Sequence, residues 1–131
     1  MILLDTCALI FDALTPERLS KKAARTIDEG DKTNELYCSD ISLWEIAMLI
    51  GKGRLSPGSA TDDFLRSMLD SRGIKPLPIT PSIAYLSASY KYFKHNDPAD
   101  RIIAATALSN KCPIITSDSL IKRIKGLNII W

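Results

Sequence analysis

The chain has 131 residues, 46% of them hydrophobic and 24% charged, which suits one compact domain spanning 1–131 that buries its own core without staples. No apolar run reaches the roughly 18 residues that cross a bilayer, and Met1–Ile10 carries Asp5 with no basic leader, so the expectation is a cytoplasmic protein with no membrane partner. A net charge of +2 permits an anionic partner without announcing one.

The chain reads as strands alternating with helices. Met1–Leu4 is a short apolar run of the kind buried in a parallel sheet. Thr6–Leu14 predicts a helical turn or two. Thr15-Pro16-Glu17 predicts the start of a second helix, with Thr as N-cap and Pro at N1, ending at Gly30. Glu35–Ser39 is the next strand. Asp40 or Ser42 opens a strongly apolar helix through Ile50, stopped by Gly51 or Gly53. Thr61–Ser71 is a helix with Gly73 beyond its end. Ile74–Ile79 holds two prolines and predicts an edge strand at best. Helices follow over Pro81–Phe93 and from Asp97-Pro98 to about Asn110. Pro113–Thr116 is a strand, Asp118–Ile124 a helix and Asn128–Ile130 a last strand. This alternation implies an α/β fold with a mostly parallel sheet. Functional groups then gather beyond the carboxyl ends of the strands, and Asp5 and Asp118 both lie just past an apolar strand.

Four acids stand out: Asp5, Glu45, Asp100 and Asp118. Taken singly, three have structural readings. Asp5 and Asp118 are each as well placed to cap a helix as to serve a site. Asp100 sits at N3 of a helix capped by Asp97, where a carboxylate favours the free amides and the helix dipole. Glu45 differs. It lies within Ile41-Ser-Leu-Trp-Glu-Ile-Ala-Met-Leu-Ile50, where an ionised carboxylate costs several kcal/mol to bury unless paired or metal-bound; only an exposed stripe on that helix offers it a structural excuse. Together, converging carboxylates repel and raise one another's pKa values. A divalent cation removes that conflict, and hard oxygen donors suit Mg2+ or Mn2+. Such sites handle phosphates, with one ion or with two about 3.5–4 Å apart.

Competing chemistries fare poorly. Cys7, Cys38 and Cys112 are odd in number and form no CxxC pair, so they read as free buried thiols rather than disulfides or a zinc site. The lone His95 reads as a loop hydrogen-bonder. No GxxxxGK[ST] loop is present for an NTPase. Trp44 reads as core rather than as a stacking surface.

The residues in order resemble a PIN-domain protein, and more narrowly the VapC-type toxins of toxin–antitoxin pairs. The matching pieces are Leu-Leu-Asp-Thr-Cys-Ala-Leu-Ile at 3–10, Ser-Leu-Trp-Glu-Ile-Ala at 42–47, Gly-Arg-Leu at 53–55 and Leu-Pro-Ile-Thr-Pro at 77–81. His-Asn-Asp-Pro-Ala-Asp-Arg-Ile-Ile-Ala-Ala-Thr-Ala at 95–107 and Ile-Ile-Thr-Ser-Asp at 114–118 complete the set. The resemblance implies a three-layer α/β/α sandwich around a roughly five-stranded sheet. It also implies a metal-dependent endoribonuclease, with Asp5, Glu45, Asp100 and Asp118 around Mg2+ or Mn2+. Thr6 and Thr116 then match hydroxyls that orient carboxylates or water. Asp97 matches the first acid of the DPxDR motif and reads as a helix cap before a ligand. Arg101 either pairs with an acid of the site or lies exposed on its helix. Cys7 stands where many relatives carry another small or polar residue. The family further implies a homodimer and a small VapB-like antitoxin whose tail fills the groove.

RNA must reach an acidic centre through cations. Lys52 and Arg54, after the Glu45 helix, are candidates to hold phosphate. Lys122, Arg123 and Lys125 form a second basic run. A solvated face is the plainer reading of both. A housekeeping PIN nuclease of RNA processing would have the same site and no antitoxin, and an adjoining antitoxin reading frame would separate the two. A non-catalytic binding module predicts missing acids, and a phosphotransfer receiver predicts paired acids after the first strand; neither pattern is present.

Overall fold

A computed structural model describes residues 1–94 and 97–131, and the expectation for His95 lies outside them. Five strands form one all-parallel sheet: β1 (Ile2–Leu4), β2 (Leu36–Ser39), β3 (Lys75–Leu77), β4 (Ile114–Ile115) and β5 (Ile129–Ile130), in the order β3-β2-β1-β4-β5. Its helices are α1 (Thr6–Leu14), α2 (Lys21–Lys32), α3 (Asp40–Gly51), α4 (Thr61–Arg72), α5 (Pro81–Ser89) and α6 (Pro98–Asn110).

Strands β1 and β4 are apolar throughout because both faces of the sheet are covered there. Side chains alternate across a strand. Leu4 and Ile115 pack with Ala8, Leu9, Ile27, Ile46, Phe64 and Met68 from α1 to α4. Their neighbours Leu3 and Ile114 pack on the other side with Ile83, Ile103, Ala104 and Ala107 from α5 and α6. This is the expected three-layer sandwich.

The strand order places the site. After β1 the chain moves to β2 on one side, and later returns to β4 on the other. The carboxyl ends of β1 and β4 therefore flank a topological switch point, where open parallel sheets leave a crevice. The Asp5 amide donates to the Ile115 carbonyl at 3.1 Å, which locks the two strand ends together there.

The predicted boundaries shift where local chemistry competes. The second helix starts at Lys21, not after Thr15: the Ser20 hydroxyl accepts from the Ala23 amide at 3.0 Å, while Pro16–Arg18 forms a single 3-10 turn. Gly30 lies inside that helix rather than at its end. A Cβ there would stand 2.5 Å from Leu36 Cδ2, so glycine is what lets α2 sit close to β2. Gly73 caps α4 with φ +61 as expected. The fifth helix stops at Ser89, because Tyr90 turns extended and donates its hydroxyl to the Lys125 carbonyl at 2.7 Å. The helix predicted over Asp118–Ile124 is one 3-10 turn, Ile121–Arg123. Ile121 and Ile124 must both reach the core, and the chain must turn back to β5 within a few residues.

Candidate active site

Each acid is positioned by a backbone junction. Asp5 ends β1 and caps α1: its Oδ1 accepts from the Ala8 amide at 2.7 Å, and its Oδ2 accepts from the Thr116 hydroxyl. Its residue exposure is only 2%. Asp97 caps α6, its Oδ1 accepting from the Ala99 amide at 2.9 Å, and Asp100 follows in the first turn. Asp118 Oδ1 accepts from the amides of Leu120 and Ile121 at 2.8 and 2.9 Å. Glu45 stands in the second turn of α3, where the Thr6 hydroxyl donates to its Oε1 at 2.5 Å.

One carboxylate oxygen each from Glu45, Asp97 and Asp100 lie within 4.8 Å of one another. Asp5 and Asp118 act on the same space. Burial pushes the Asp5 carboxyl up to about 6, partly offset by its Thr116 and Ala8 hydrogen bonds, with Asp118 and Glu45 adding repulsion. Burial first, then Asp97, Asp118, Glu45 and Asp5, push Asp100 up to about 7. Glu45 is raised by burial and by Asp97, against the Thr6 hydrogen bond. Among the described residues no Lys or Arg forms an ion pair with Asp5, Glu45 or Asp118. The edge thus gathers five carboxylates, and three of them, Asp5, Glu45 and Asp100, are pushed up from the ordinary carboxylate range. All are hard oxygen donors, and the set fits Mg2+ or Mn2+.

Two threonines hydrogen-bond to the acids. Thr116 is fully buried, donates to Asp5 and accepts from the Asp118 amide at 3.0 Å, so one hydroxyl fixes two acids. Thr6 holds Glu45 and lies 3.0 Å from the buried Ser42 hydroxyl. Ser42 was not singled out in the sequence; its place one turn before Glu45 was the available signal.

Several expectations change. Among the described residues Arg101 forms no ion pair with an acid, nor does it lie free. Its Nε and Nη2 donate to the carbonyls of Ser87 and Ala88 at 2.7 and 3.2 Å, satisfying the end of α5. Trp44 is not core but 58% exposed. On α3, Ser42 and Ile46 turn inward, while Ile41, Trp44, Glu45 and Met48 share the opposite stripe. With Asp97, Pro98, Ala99 and Ile102 they line a cavity of about 500 Å³. Asp97 belongs to the carboxylate cluster as well as to the cap. Cys38 and Cys112 are buried, but Cys7 is exposed; desolvation of its sulfur and the nearby acids, Asp5 foremost, still push its thiol up to about 12. Lys52 and Arg54 are exposed beyond α3. Lys52 follows Glu45 by two helical turns, about 10 Å along the axis.

Known proteins resemble this chain in sequence and in fold. Ribonuclease VapC22 of Mycobacterium tuberculosis is 30% identical over 117 residues, 89% of this chain and 86% of that protein. The structure of VapBC2 from Rickettsia felis, bound to a DNA fragment from the promoter, superposes with a TM-score of 0.68 at 19% identity, covering 98% of this chain and 97% of that one. A toxin–antitoxin complex from Klebsiella pneumoniae gives a TM-score of 0.63 at 18% identity, covering 97% and 95%. Residues 2–127 match the PIN domain, and with acids following β1 and β4 at the switch point of an all-parallel sheet, the chain belongs to the PIN-domain family.

Proposed function

We propose that this protein is a Mg2+- or Mn2+-dependent endoribonuclease of the VapC type, working over residues 1–131 as one unit, and the toxin of a toxin–antitoxin pair. The observation that carries the reading is the convergence of Glu45, Asp97 and Asp100 within 4.8 Å, with Asp5 and Asp118 repelling charge at the same place. Identity of 30% to a ribonuclease over most of both chains supports the substrate class.

Asp5, Glu45, Asp97, Asp100 and Asp118 are the residues that would hold the metal. When bound, Mg2+ would lower the pKa of a water and would supply positive charge toward the scissile phosphate. Thr116 keeps Asp5 ionised and oriented by donating to it, and Thr6 does the same for Glu45. The N-termini of α1 and α6 open at the site, and their dipoles further favour the ionised acids.

A VapB-like antitoxin is the proposed partner. The Trp44–Met48–Ile102 cavity runs up to Glu45 and Asp97, so apolar side chains of an antitoxin segment would fill it and a basic one would meet the acids. The solved likenesses to toxin–antitoxin complexes support that partner. A homodimer, cytoplasmic location and phosphate contacts by Lys52 and Arg54 belong to the same proposal.

The test is purified protein with labelled RNA in Mg2+, Mn2+ or EDTA. Cleavage requires the metal, leaves 5′-phosphates, and falls at least a hundredfold in Asp5→Asn and Glu45→Gln while circular dichroism is unchanged. Equal cutting by both variants overturns the proposal.

A further inference from the structure

The charge of this chain is divided along its length. Residues 1–70 hold twelve of the fifteen acids, whereas residues 71–131 hold nine Lys and Arg against three acids, Asp97, Asp100 and Asp118. Every acid side chain of the second half therefore belongs to the carboxylate site, while Arg72 is offset by Asp12, Asp28 and Asp31 of the first half.

Four of those cations, Lys91, Lys94, Arg123 and Lys125, are gathered. Tyr92, Lys94, Leu120 and Arg123 line a groove of about 340 Å³. Lys91 and Lys125 place their ammonium groups 5.0 and 5.2 Å from the Tyr92 ring centroid. An aromatic face holds a cation without cancelling its charge, so the ring fixes two positive charges that remain able to meet an anion. Leu120 is 47% exposed, a large apolar side chain left at the surface beside them. Such a surface is unlike the solvated face expected of an isolated basic run: it combines cations, an aromatic ring and an apolar contact.

The groove is also tied to the acids. Asp118 accepts the amide of Leu120 directly, so the turn that forms one wall is the turn this acid caps. Lys94 lies three residues before Asp97, at most about 11 Å away by chain reach. Resting on the ribonuclease reading above, we propose that this groove binds the RNA strand next to the scissile phosphate, with Lys94 and Arg123 on phosphate oxygens and Leu120 and Tyr92 against a base. Cations at this distance let a polyanion approach a centre that would otherwise repel it, and the apolar contact is tolerant of base identity, as stacking surfaces for single strands are.

The experiment measures binding apart from cleavage. A fluorescein-labelled mixed-sequence single-stranded RNA is titrated, by anisotropy over 50–200 mM salt, against the Asp5→Asn protein with and without Lys94→Ala/Arg123→Ala. Two lost phosphate contacts lower the slope of log K against log salt by about 1.4 and weaken binding roughly ten- to thirtyfold near 0.1 M salt. Leu120→Ala weakens binding with the slope unchanged. Arg25→Gln/Lys32→Gln, which removes two exposed charges from α2, leaves both unchanged. A groove variant that binds and salts out like its parent overturns the inference, as does an equal loss in the α2 variant. RNA cut by wild type with no effect of the groove changes leaves the ribonuclease reading standing and the groove refuted. RNA bound through the groove but never cut with either metal does the reverse.

Discussion

In the metal-free protein, Asp100→Asn should stabilise the fold at alkaline pH. The Asp100 carboxyl rises from 3.8 to about 7, chiefly through burial and then through Asp97 and Asp118. The sign follows from proton counting. Below about pH 4 the group is protonated folded or unfolded and contributes nothing. Between about 4 and 7 the folded state holds the proton more tightly, so stability falls as pH rises; above about 7 the full penalty applies. Roughly three units at 1.36 kcal/mol each set a ceiling of about 4 kcal/mol. Asp100 is only partly buried, asparagine retains some desolvation cost, and losing an acid from the first turn of α6 sacrifices about 0.3–1 kcal/mol. A net gain of about 1–3 kcal/mol remains, equivalent to several degrees in Tm for a chain of this size. Scanning fluorimetry in EDTA from pH 4.5 to 8.5 reads it directly. The variant should melt higher than wild type at pH 8, and the two should converge near pH 4.5. Mg2+ should then raise wild type more than the variant at pH 8, because binding to the folded state alone adds RT ln(1 + [L]/Kd). A variant that melts lower at pH 8, or a difference independent of pH, would refute an unfavourably buried charge as the dominant feature and leave Asp100 a structural residue of the first turn of α6.

The other predictions separate site from scaffold. Thr116→Val removes the donor to Asp5 and the acceptor for the Asp118 amide; RNA cleavage should fall about 10–100-fold, with Thr116→Ser restoring most of it, as single-turnover rates will show. Arg72 joins Asp12 at 2.9 Å with Asp28 and Asp31 beside it, and the Asp12 side chain is only 7% exposed. Arg72→Met leaves that carboxylate unpaired and should cost about 2–4 kcal/mol in urea unfolding, while cleavage per folded molecule stays as in wild type. Gly30→Ala drives a methyl to 2.5 Å from Leu36 Cδ2 and should cost about 1–3 kcal/mol, checked in the same unfolding series.

Much of the scaffold was legible because it is written locally. Apolar pairs such as Leu3-Leu4 and Ile114-Ile115 announce strands covered on both faces, and Pro98 after Asp97 announces a helix start. Errors arose where a distant partner outweighed local preference. Tyr90 leaves its helix for the Lys125 carbonyl, thirty-five residues on, and Gly30 breaks no helix because Leu36 needs the space. Trp44 sits in a segment apolar on nearly every side, so periodicity could not tell which stripe of α3 faces outward. Arg101 was read beside its sequence neighbour Asp100, but its long side chain reaches back to α5. Glu45 was singled out on a physical ground, since a carboxylate inside an apolar helix requires a partner or an exposed stripe, and the Thr6 hydroxyl donates to it.

Cap and site, set against each other in the sequence for Asp5 and Asp118, are geometrically compatible. Asp5 divides its oxygens between the Ala8 amide and the Thr116 hydroxyl, while one oxygen of Asp118 takes two amides. Asp97 accepts from Ala99 and still lies within the 4.8 Å cluster. An amide donor lowers the energy of the ionised form, and a helix N-terminus adds the favourable end of its dipole. The fold thereby gathers charges that would otherwise force protonation, and it does so with bonds that also start its helices. Glu45 lacks that support: it sits within α3, braced by Thr6 alone among the hydrogen bonds of the described residues. Burial and Asp97 raise its carboxyl, as burial and neighbouring acids raise those of Asp5 and Asp100, so a cation at this edge should favour the ionised form of all three.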